Sequence, residues 1–258
     1  MNYIEHQIES QVCIIKLNRP KVYNSFNKLM AFQLQEVLDL CQEEKNIRSV
    51  LLTGNGKAFC AGQDLQEIID PTGPLLKDII RDHYNPIIER IRNLEKPVVC
   101  GVNGVAAGAG ANISLSCDIT IAGESASFIQ AFSKIGLIPD SGGTFFLPRI
   151  IGMQKASALT MLGDKISARE AEKIGMIYKT SPDDILIDEA LKIASKLSKM
   201  PTRAIGLTKR ALNLSLNNNL TEQLKAEESL QIAASKTHDY SEGVSAFLEK
   251  RPAKFKGY

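Results

Sequence analysis

The sequence predicts an α/β fold closed by a helical tail. Three observations carry this: short apolar runs alternate with stretches of helical spacing, small-residue turns follow several of the runs, and the chain beyond Thr144 reads mainly as helix. Such alternation implies βα units with largely parallel strand pairing.

Val12-Cys-Ile-Ile-Lys-Leu17 is a near-continuous apolar run of strand length, stopped at Asn18-Arg19-Pro20. Lys28 to Glu44 places Met30, Leu34, Val37, Leu38 and Cys41 on one helical face, with Asn27 positioned to cap it. Ser49-Val-Leu-Leu-Thr53 is a second strand, ended by Gly54-Asn-Gly56. Leu75 to Glu95 repeats Leu76, Ile80, Tyr84, Ile87 and Ile91 at helical spacing. Pro86 should kink or break that helix, because it has no N–H to give. Val98 to Asn103 is a third strand, Gly104 to Cys117 a turn entering a tightly packed helix, and Ile119-Thr-Ile-Ala122 a fourth strand.

Further on, Ser167-Ala-Arg-Glu170 has the form of a capping box opening a short helix that ends at Gly175. Met176-Ile-Tyr178 reads as one last strand, and helices follow near 184–198, 202–213, 220–237 and 239–250. Met200-Pro201 divides residues 1–200, an α/β core, from residues 201–258, a helical tail. Lys192, Lys196, Lys199 and Arg203 form a basic stripe without interleaved aromatics, which is a solvated face rather than a nucleic-acid surface.

Composition narrows the function. The chain has 258 residues, 44% hydrophobic content and a net charge of +2, so it has ample material for a core and no bias towards disorder. No apolar run approaches the roughly 20 residues of a membrane span, and the N-terminus MNYIEHQIES lacks a signal-peptide layout. Neither a membrane nor a nucleic acid is expected as a partner. The five cysteines form no CxxC, and the three histidines stand far apart. Free thiols in a reducing cytoplasm are expected, with no disulfide framework and no metal site.

Three glycine-containing stretches invite misreading. Gly54-Asn-Gly-Lys57 lacks the first glycine and the Ser/Thr of a P-loop. Gly108-Ala-Gly110 has Ile113 where a dinucleotide fingerprint needs its third small residue. Asp140-Ser-Gly-Gly143 looks like a protease nucleophile loop, yet the chain is α/β and no histidine lies nearby. More informative are Ala58-Phe-Cys-Ala-Gly-Gln-Asp-Leu65 and Gly104-Val-Ala-Ala-Gly-Ala-Gly110, each a tight turn before a helix. Helix N-termini carry unpaired N–H donors, and two converging donors would make an oxyanion hole; two ordinary packed turns is the competing reading.

Asn18-Arg-Pro20 with Asn24, Phe59 to Leu65, Asn103 to Gly110 with Cys117-Asp-Ile119, and Gly136-Leu-Ile-Pro-Asp-Ser-Gly-Gly-Thr144 occur in that order. Together they resemble the enoyl-CoA hydratase/isomerase (crotonase) superfamily over essentially the whole chain, down to Glu242-Gly-Val-Ser-Ala-Phe-Leu-Glu-Lys250. The resemblance implies a spiral of ββα units, a C-terminal helical region that builds homotrimers or hexamers, and an acyl-CoA thioester substrate. No separate cofactor is implied, since coenzyme A belongs to the substrate. Position by position, the resemblance makes the N–H groups of Gln63 and Ala109 the oxyanion donors. It places Lys57, Ala61, Gly62, Asp64, Gly108, Asn112 and Phe132 around the bound thioester, and Phe247 and Lys250 against the CoA of a neighbouring subunit.

Hydration in this superfamily uses two glutamates, which fall on Asn112 and Phe132 in this chain. Neither can transfer a proton. Asp140 is the carboxylate that remains, and one carboxylate suffices for isomerisation, because a single base can remove a proton and return it elsewhere. Phe128, Phe132, Phe145 and Phe146 suggest a low-dielectric surrounding that would raise the Asp140 pKa. The segments Phe128 to Asp140, Phe145 to Arg149 and Tyr240 to Phe247 resemble the branch that isomerises ring-1,2-epoxyphenylacetyl-CoA to oxepin-CoA, and enzymes that shift a 3,4 double bond to the 2,3 position. The alternatives are an enoyl-CoA hydratase and a catalytically inert acyl-CoA-binding or scaffold protein. An aryl-CoA dehalogenase is disfavoured, because the resemblance there calls for a Trp that this chain lacks.

Overall fold

A computed structural model describes residues 2–258; Met1, at the head of the N-terminal segment read above, lies outside them. The chain opens with the hairpin β1 (Ile4–Glu9) and β2 (Val12–Leu17). Its turn places both Ser10 and Gln11 at positive φ. Helix α1 (Lys28–Glu43) follows, capped by the Asn27 side chain, which accepts from the Met30 N–H at 3.0 Å. Next come β3 (Ser49–Gly54), β4 (Ala58–Cys60), and the short helices α2 (Leu65–Ile69) and α3 (Leu76–Asp78). A π-helical stretch over Ile79–Tyr84 leads without a break into α4 (Asn85–Asn93).

The middle of the chain holds β5 (Val98–Val102), β6 (Val105–Ala107), α5 (Ala109–Ser116), β7 (Ile119–Gly123) and β8 (Ser127–Ile129). Then follow α6 (Gly143–Ile151), α7 (Met153–Leu162), β9 (Lys165–Ser167), α8 (Ala168–Lys173) and β10 (Lys179–Ser181). Four helices close the chain: α9 (Leu186–Ser198), α10 (Thr202–Ser215), α11 (Leu220–Ser235) and α12 (His238–Leu248).

The strands form a six-stranded sheet ordered β1-β2-β3-β5-β7-β10 and a four-stranded sheet ordered β4-β6-β8-β9. Consecutive strands alternate between them: β3 lies in the large sheet and β4 in the small, then β5 and β6, then β7 and β8. Each pair is followed by helix, which is the spiral of ββα units that the resemblance implies. Pairing is parallel from β2 through β10 in the large sheet and from β4 through β8 in the small one, with antiparallel strands at one edge of each.

One face of the large sheet, with Cys13, Ile15, Val50, Leu52 and Val98, packs into the main core with α1, α4 and α5. The other face, with Val12, Ile14, Leu51, Val99 and Ile121, is covered by Leu186, Ala190 and Ala194 of α9. Burial on both faces is why these strands read as continuous apolar runs rather than alternating ones. Among the described residues no helix is long and apolar enough to cross a membrane.

Several readings need correction. The last strand is Lys179–Ser181 rather than Met176–Tyr178. Met176 and Ile177 are buried in the main core, and the Met176 N–H turns back to the Ala171 carbonyl. The Tyr178 N–H donates to Thr120 O of β7, and the residue-by-residue register starts one position on, at Lys179 opposite Ile121. Ser167 accepts from the Glu170 N–H at 3.2 Å, giving the first half of a capping box. The complete box stands at α11, between Asn219 and Glu222. The helix through Pro86 does not break; it widens into the π-helical turn just before the proline. Pro86 has no N–H for the Asp82 carbonyl, and the Gln35 amide donates to it at 2.7 Å instead.

Candidate active site

Two backbone segments set the site. After β4 the chain passes through Gly62 at φ 92°, in the left-handed region open to glycine. The Gly62 carbonyl accepts from Phe26 N–H at 2.7 Å, and the Asp64 N–H donates to Phe26 O at 2.8 Å. Carbonyl and N–H point oppositely across a trans peptide, so the Gln63 N–H is turned away from Phe26. It takes no part in that pairing.

The second segment runs from β6 into α5. The Gly108 N–H continues the β6–β8 ladder to Ile129 O at 2.9 Å, and the Gly108 carbonyl accepts the first helical bond from Asn112 N. Ala109 is the first residue of α5, so its N–H points out of the helix's N-terminal end, unpaired within the helix and at the positive pole of its dipole. The two segments touch: a Cβ on Gly62 would stand 3.7 Å from the Ala109 nitrogen.

Both open onto one apolar pocket of about 170 Å³, lined by Ala61, Gly62, Gln63, Gly108, Ala109, Phe132, Tyr84 and Asp140 among others. Leu65, Ile68, Leu76, Ile79, Ala131, Ile135 and Leu137 complete its wall. Of the other aromatic residues expected here, Phe128 is buried in the main core. Phe145 lies under the Arg149 guanidinium at 3.9 Å, and Phe146 packs beside Arg92. The apolar surrounding is therefore built by Phe132 with aliphatic side chains from α2, α3 and the loop after β8.

Asp140 enters from the turn before α6. Ser141 and Gly142 both have positive φ, which costs about 1–2 kcal/mol for the non-glycine residue. Ser141 Oγ donates to Asp140 Oδ1 at 2.8 Å. The Asp140 carbonyl accepts from the Gly143 N–H and from Asn112 Nδ2, each at 2.8 Å. Burial pushes the Asp140 carboxyl above its ordinary value, with Ser141 pulling weakly the other way.

Asn112 is fully buried behind the pocket rather than in its wall, and its Oδ1 accepts from Gln130 Nε2 at 2.8 Å. A Cβ on Gly143 would lie 2.3 Å from Asn112 Nδ2, so only glycine permits this contact. Burial pushes the Cys60 thiol beneath Gly62 up to about 12, which leaves it protonated and unreactive.

In the sequence Tyr84 reads only as one position on the apolar face of a helix. The π-helical turn carries it into the pocket, where its hydroxyl donates to Gln63 Oε1 at 2.8 Å. Nothing in the helical spacing of Leu75 to Glu95 marks it as other than a core residue.

The remaining candidates lie elsewhere in the chain. Lys57 is exposed on the loop before β4. Asp64 pairs with Arg19 at 2.8 Å and caps α2 at the Gln66 N–H. Phe247, 84% exposed, lies in the last turn of α12 and Lys250 just beyond it, and Phe247 borders a separate groove with Tyr240, Val244 and Leu248.

The comparisons agree with this architecture. A profile of the enoyl-CoA hydratase/isomerase family matches residues 7–258. The 1,2-epoxyphenylacetyl-CoA isomerase of Escherichia coli (strain K12) is 47% identical over 260 residues, spanning 100% of this chain and 99% of the relative. A probable enoyl-CoA hydratase of Rhodobacter capsulatus is 41% identical over 254 residues, covering 98% of each. The crystal structure of enoyl-CoA hydratase from Bacillus anthracis superposes with a TM-score of 0.92 at 35% identity, covering 100% of both chains.

Proposed function

The chain belongs to the enoyl-CoA hydratase/isomerase family, and from that premise we propose that it is an acyl-CoA isomerase with one proton-transferring carboxylate, Asp140. The observation that carries this reading is the make-up of the pocket. Asp140 lines an apolar cleft together with Gln63 and Ala109, whose N–H groups are taken up neither by the Phe26 pairing nor by α5, and the two positions where hydration needs glutamates hold a buried amide and a phenyl ring.

The thioester carbonyl is set between the N–H groups of Gln63 and Ala109. Asp140 removes a proton from the carbon beside that carbonyl in a 3-enoyl-CoA. Electrons move into the carbonyl, and the enolate oxygen gains two hydrogen bonds that strengthen as charge develops. A donor of this kind is worth about 3–4 kcal/mol of barrier. The Asp140 carboxylic acid then returns its proton two carbons further along, which leaves a 2-enoyl-CoA. The raised pKa makes Asp140 a stronger base than an exposed aspartate.

The identity to the E. coli isomerase supports the ring-1,2-epoxide of phenylacetyl-CoA as the physiological acyl group. For that rearrangement to oxepin-CoA the same two N–H groups hold and polarise the thioester. The five buried, unpaired thiols fit a reducing, cytoplasmic setting. Exposed Leu220, Leu224, Phe247 and Leu248 supply the apolar surface that association into trimers or hexamers through the C-terminal helices would bury.

The test offers the purified protein a 3-enoyl-CoA and, separately, a 2-enoyl-CoA. Conversion of the first without appreciable hydration of the second is the expected result. Rapid water addition to the 2-enoyl-CoA would instead support an enoyl-CoA hydratase, and inertness towards both, and towards the epoxide, a binding or scaffold role.

A further inference from the structure

We infer that Tyr84 is a positioning residue: its hydroxyl, bonded to the Gln63 side chain, holds the Gln63 N–H on the thioester carbonyl. This rests on the reading of Gln63 as an oxyanion donor.

Gln63 lies in no helix and no ladder; a single bridge to Phe26 is its backbone pairing among the described residues. The side chain supplies the rest of the restraint. Its Oε1 accepts from Tyr84 at 2.8 Å, and its Nε2 donates to Glu67 Oε2 at 2.8 Å. Glu67 Oε1 in turn accepts from the Lys28 N–H at 2.8 Å, which ties the segment to the start of α1.

Tyr84 also reaches the other side of the bridge. Its ring packs edge-on against Phe26, with centroids 5.8 Å apart, and Phe26 orients the Gly62–Gln63 peptide. One buried side chain therefore braces both partners of the bridge that aims the donor. Burial pushes the phenol well above its ordinary value, so the hydroxyl keeps its proton and remains a donor throughout the working pH range.

The placement depends on the π-helical turn. Pro86 has no N–H to serve as the α-helical donor to the Asp82 carbonyl, and Gln35 Nε2 bonds the carbonyls of both Asp82 (2.7 Å) and His83 (3.2 Å). Tyr84 is the last residue of that turn. The wider turn, stabilised by Gln35, sets the rotational position at which Tyr84 faces Gln63. Such π turns recur at functional sites.

The experiment uses Tyr84→Phe, which deletes one oxygen and keeps the ring on Phe26, with Gln63→Leu and the double variant beside it. A saturated acyl-CoA, isotope-labelled at the thioester carbonyl, reports polarisation through its infrared carbonyl stretch, and steady-state kinetics follow isomerisation. Wild type is expected to shift the bound carbonyl to lower frequency. Tyr84→Phe is expected to lose much of that shift, with kcat down about tenfold and KM changed less than about threefold, a fraction of the loss on removing a whole donor. The double variant should lose no more than the single ones, because both break the same link.

An unchanged carbonyl shift in Tyr84→Phe, or additive losses in the double variant, overturns the role assigned to Tyr84 and leaves the oxyanion reading in place. Absence of any shift in wild type overturns both. The melting temperature checks that the variants fold; a loss of stability with an intact carbonyl shift marks a merely structural tyrosine and also overturns the inference.

Discussion

The Asn112 side-chain amide donates to the backbone carbonyl of Asp140 at 2.8 Å, across 28 residues of sequence. It thereby joins the helix that presents the Ala109 N–H to the turn that presents the carboxyl. One side-chain amide thus ties the start of α5 to the Asp140 turn, at the position where the resemblance places a hydratase glutamate.

Replacing that amide has a defined consequence. Asn112→Leu keeps the volume but leaves Gln130 Nε2 without an acceptor and frees one side of the Asp140 turn. A stability loss of about 1–3 kcal/mol is expected, the cost of an unpaired buried polar group. Thermal melting measures it. Isomerase kcat should fall about tenfold as Asp140 loses its fixed position, a minor share of the gain from general acid–base catalysis.

Gly62→Ala tests the approach of the two N–H groups. The new Cβ would sit 3.0 Å from the Ala107 carbonyl in a backbone at φ 92°. Strain of about 1–3 kcal/mol is expected at such a position. Because relief means separating Gly62 from Ala109, kcat should fall about 100-fold, comparable to loss of one oxyanion donor. A variant destabilised in melting but with wild-type kcat would show that the spacing of the donors is immaterial.

The raised pKa of Asp140 fixes the sign of two pH effects. Only the ionised form can act as base, so kcat/KM is expected to rise with pH through a midpoint above the ordinary 3.8. The folded state holds this proton to higher pH than the unfolded chain does. The associated stability is therefore complete below 3.8 and is lost as pH rises through the raised value. Asp140→Asn should accordingly melt above wild type at neutral pH and level with it in acid. Melting curves of both proteins across that range measure the difference.

Asp118 serves stability rather than chemistry. It accepts from Val98 N–H and Lys209 Nζ, each at 2.8 Å, and from Arg92 at 3.3 Å. Lys209 is 5% exposed, so Asp118→Asn leaves its charge buried without a counterion. Destabilisation of about 3–5 kcal/mol is expected. In the fraction that remains folded, kcat should be unchanged; a large kcat effect would show that this network communicates with the pocket.

The long elements of this fold are legible in the sequence because apolar runs buried on both faces, caps such as Asn27 and the spacing of Lys28 to Glu44 act locally. The small sheet is not. Its strands, such as Ala58–Cys60 and Val105–Ala107, are three residues long, too short for any period to show. The hairpin strand Ile4–Glu9 also escapes, because five of its six residues are exposed. In the site, the glycine turns bring Gln63, Ala109, Phe132 and Asp140 together, and their motifs mark them. Tyr84 bears no local signal. Its position follows from a helix widened ahead of Pro86 and satisfied by Gln35 from another helix, a tertiary arrangement outside the reach of sequence spacing.

In the proposed mechanism a single carboxylate, Asp140, moves the proton. The most direct measurement is the rate of 3-enoyl-CoA isomerisation by Asp140→Asn, with acyl-CoA binding measured on the same preparation. Binding within about threefold of wild type is expected, with kcat lower by about 1,000-fold, within the range general acid–base catalysis supplies. A variant that binds and isomerises at the wild-type rate would contradict that mechanism.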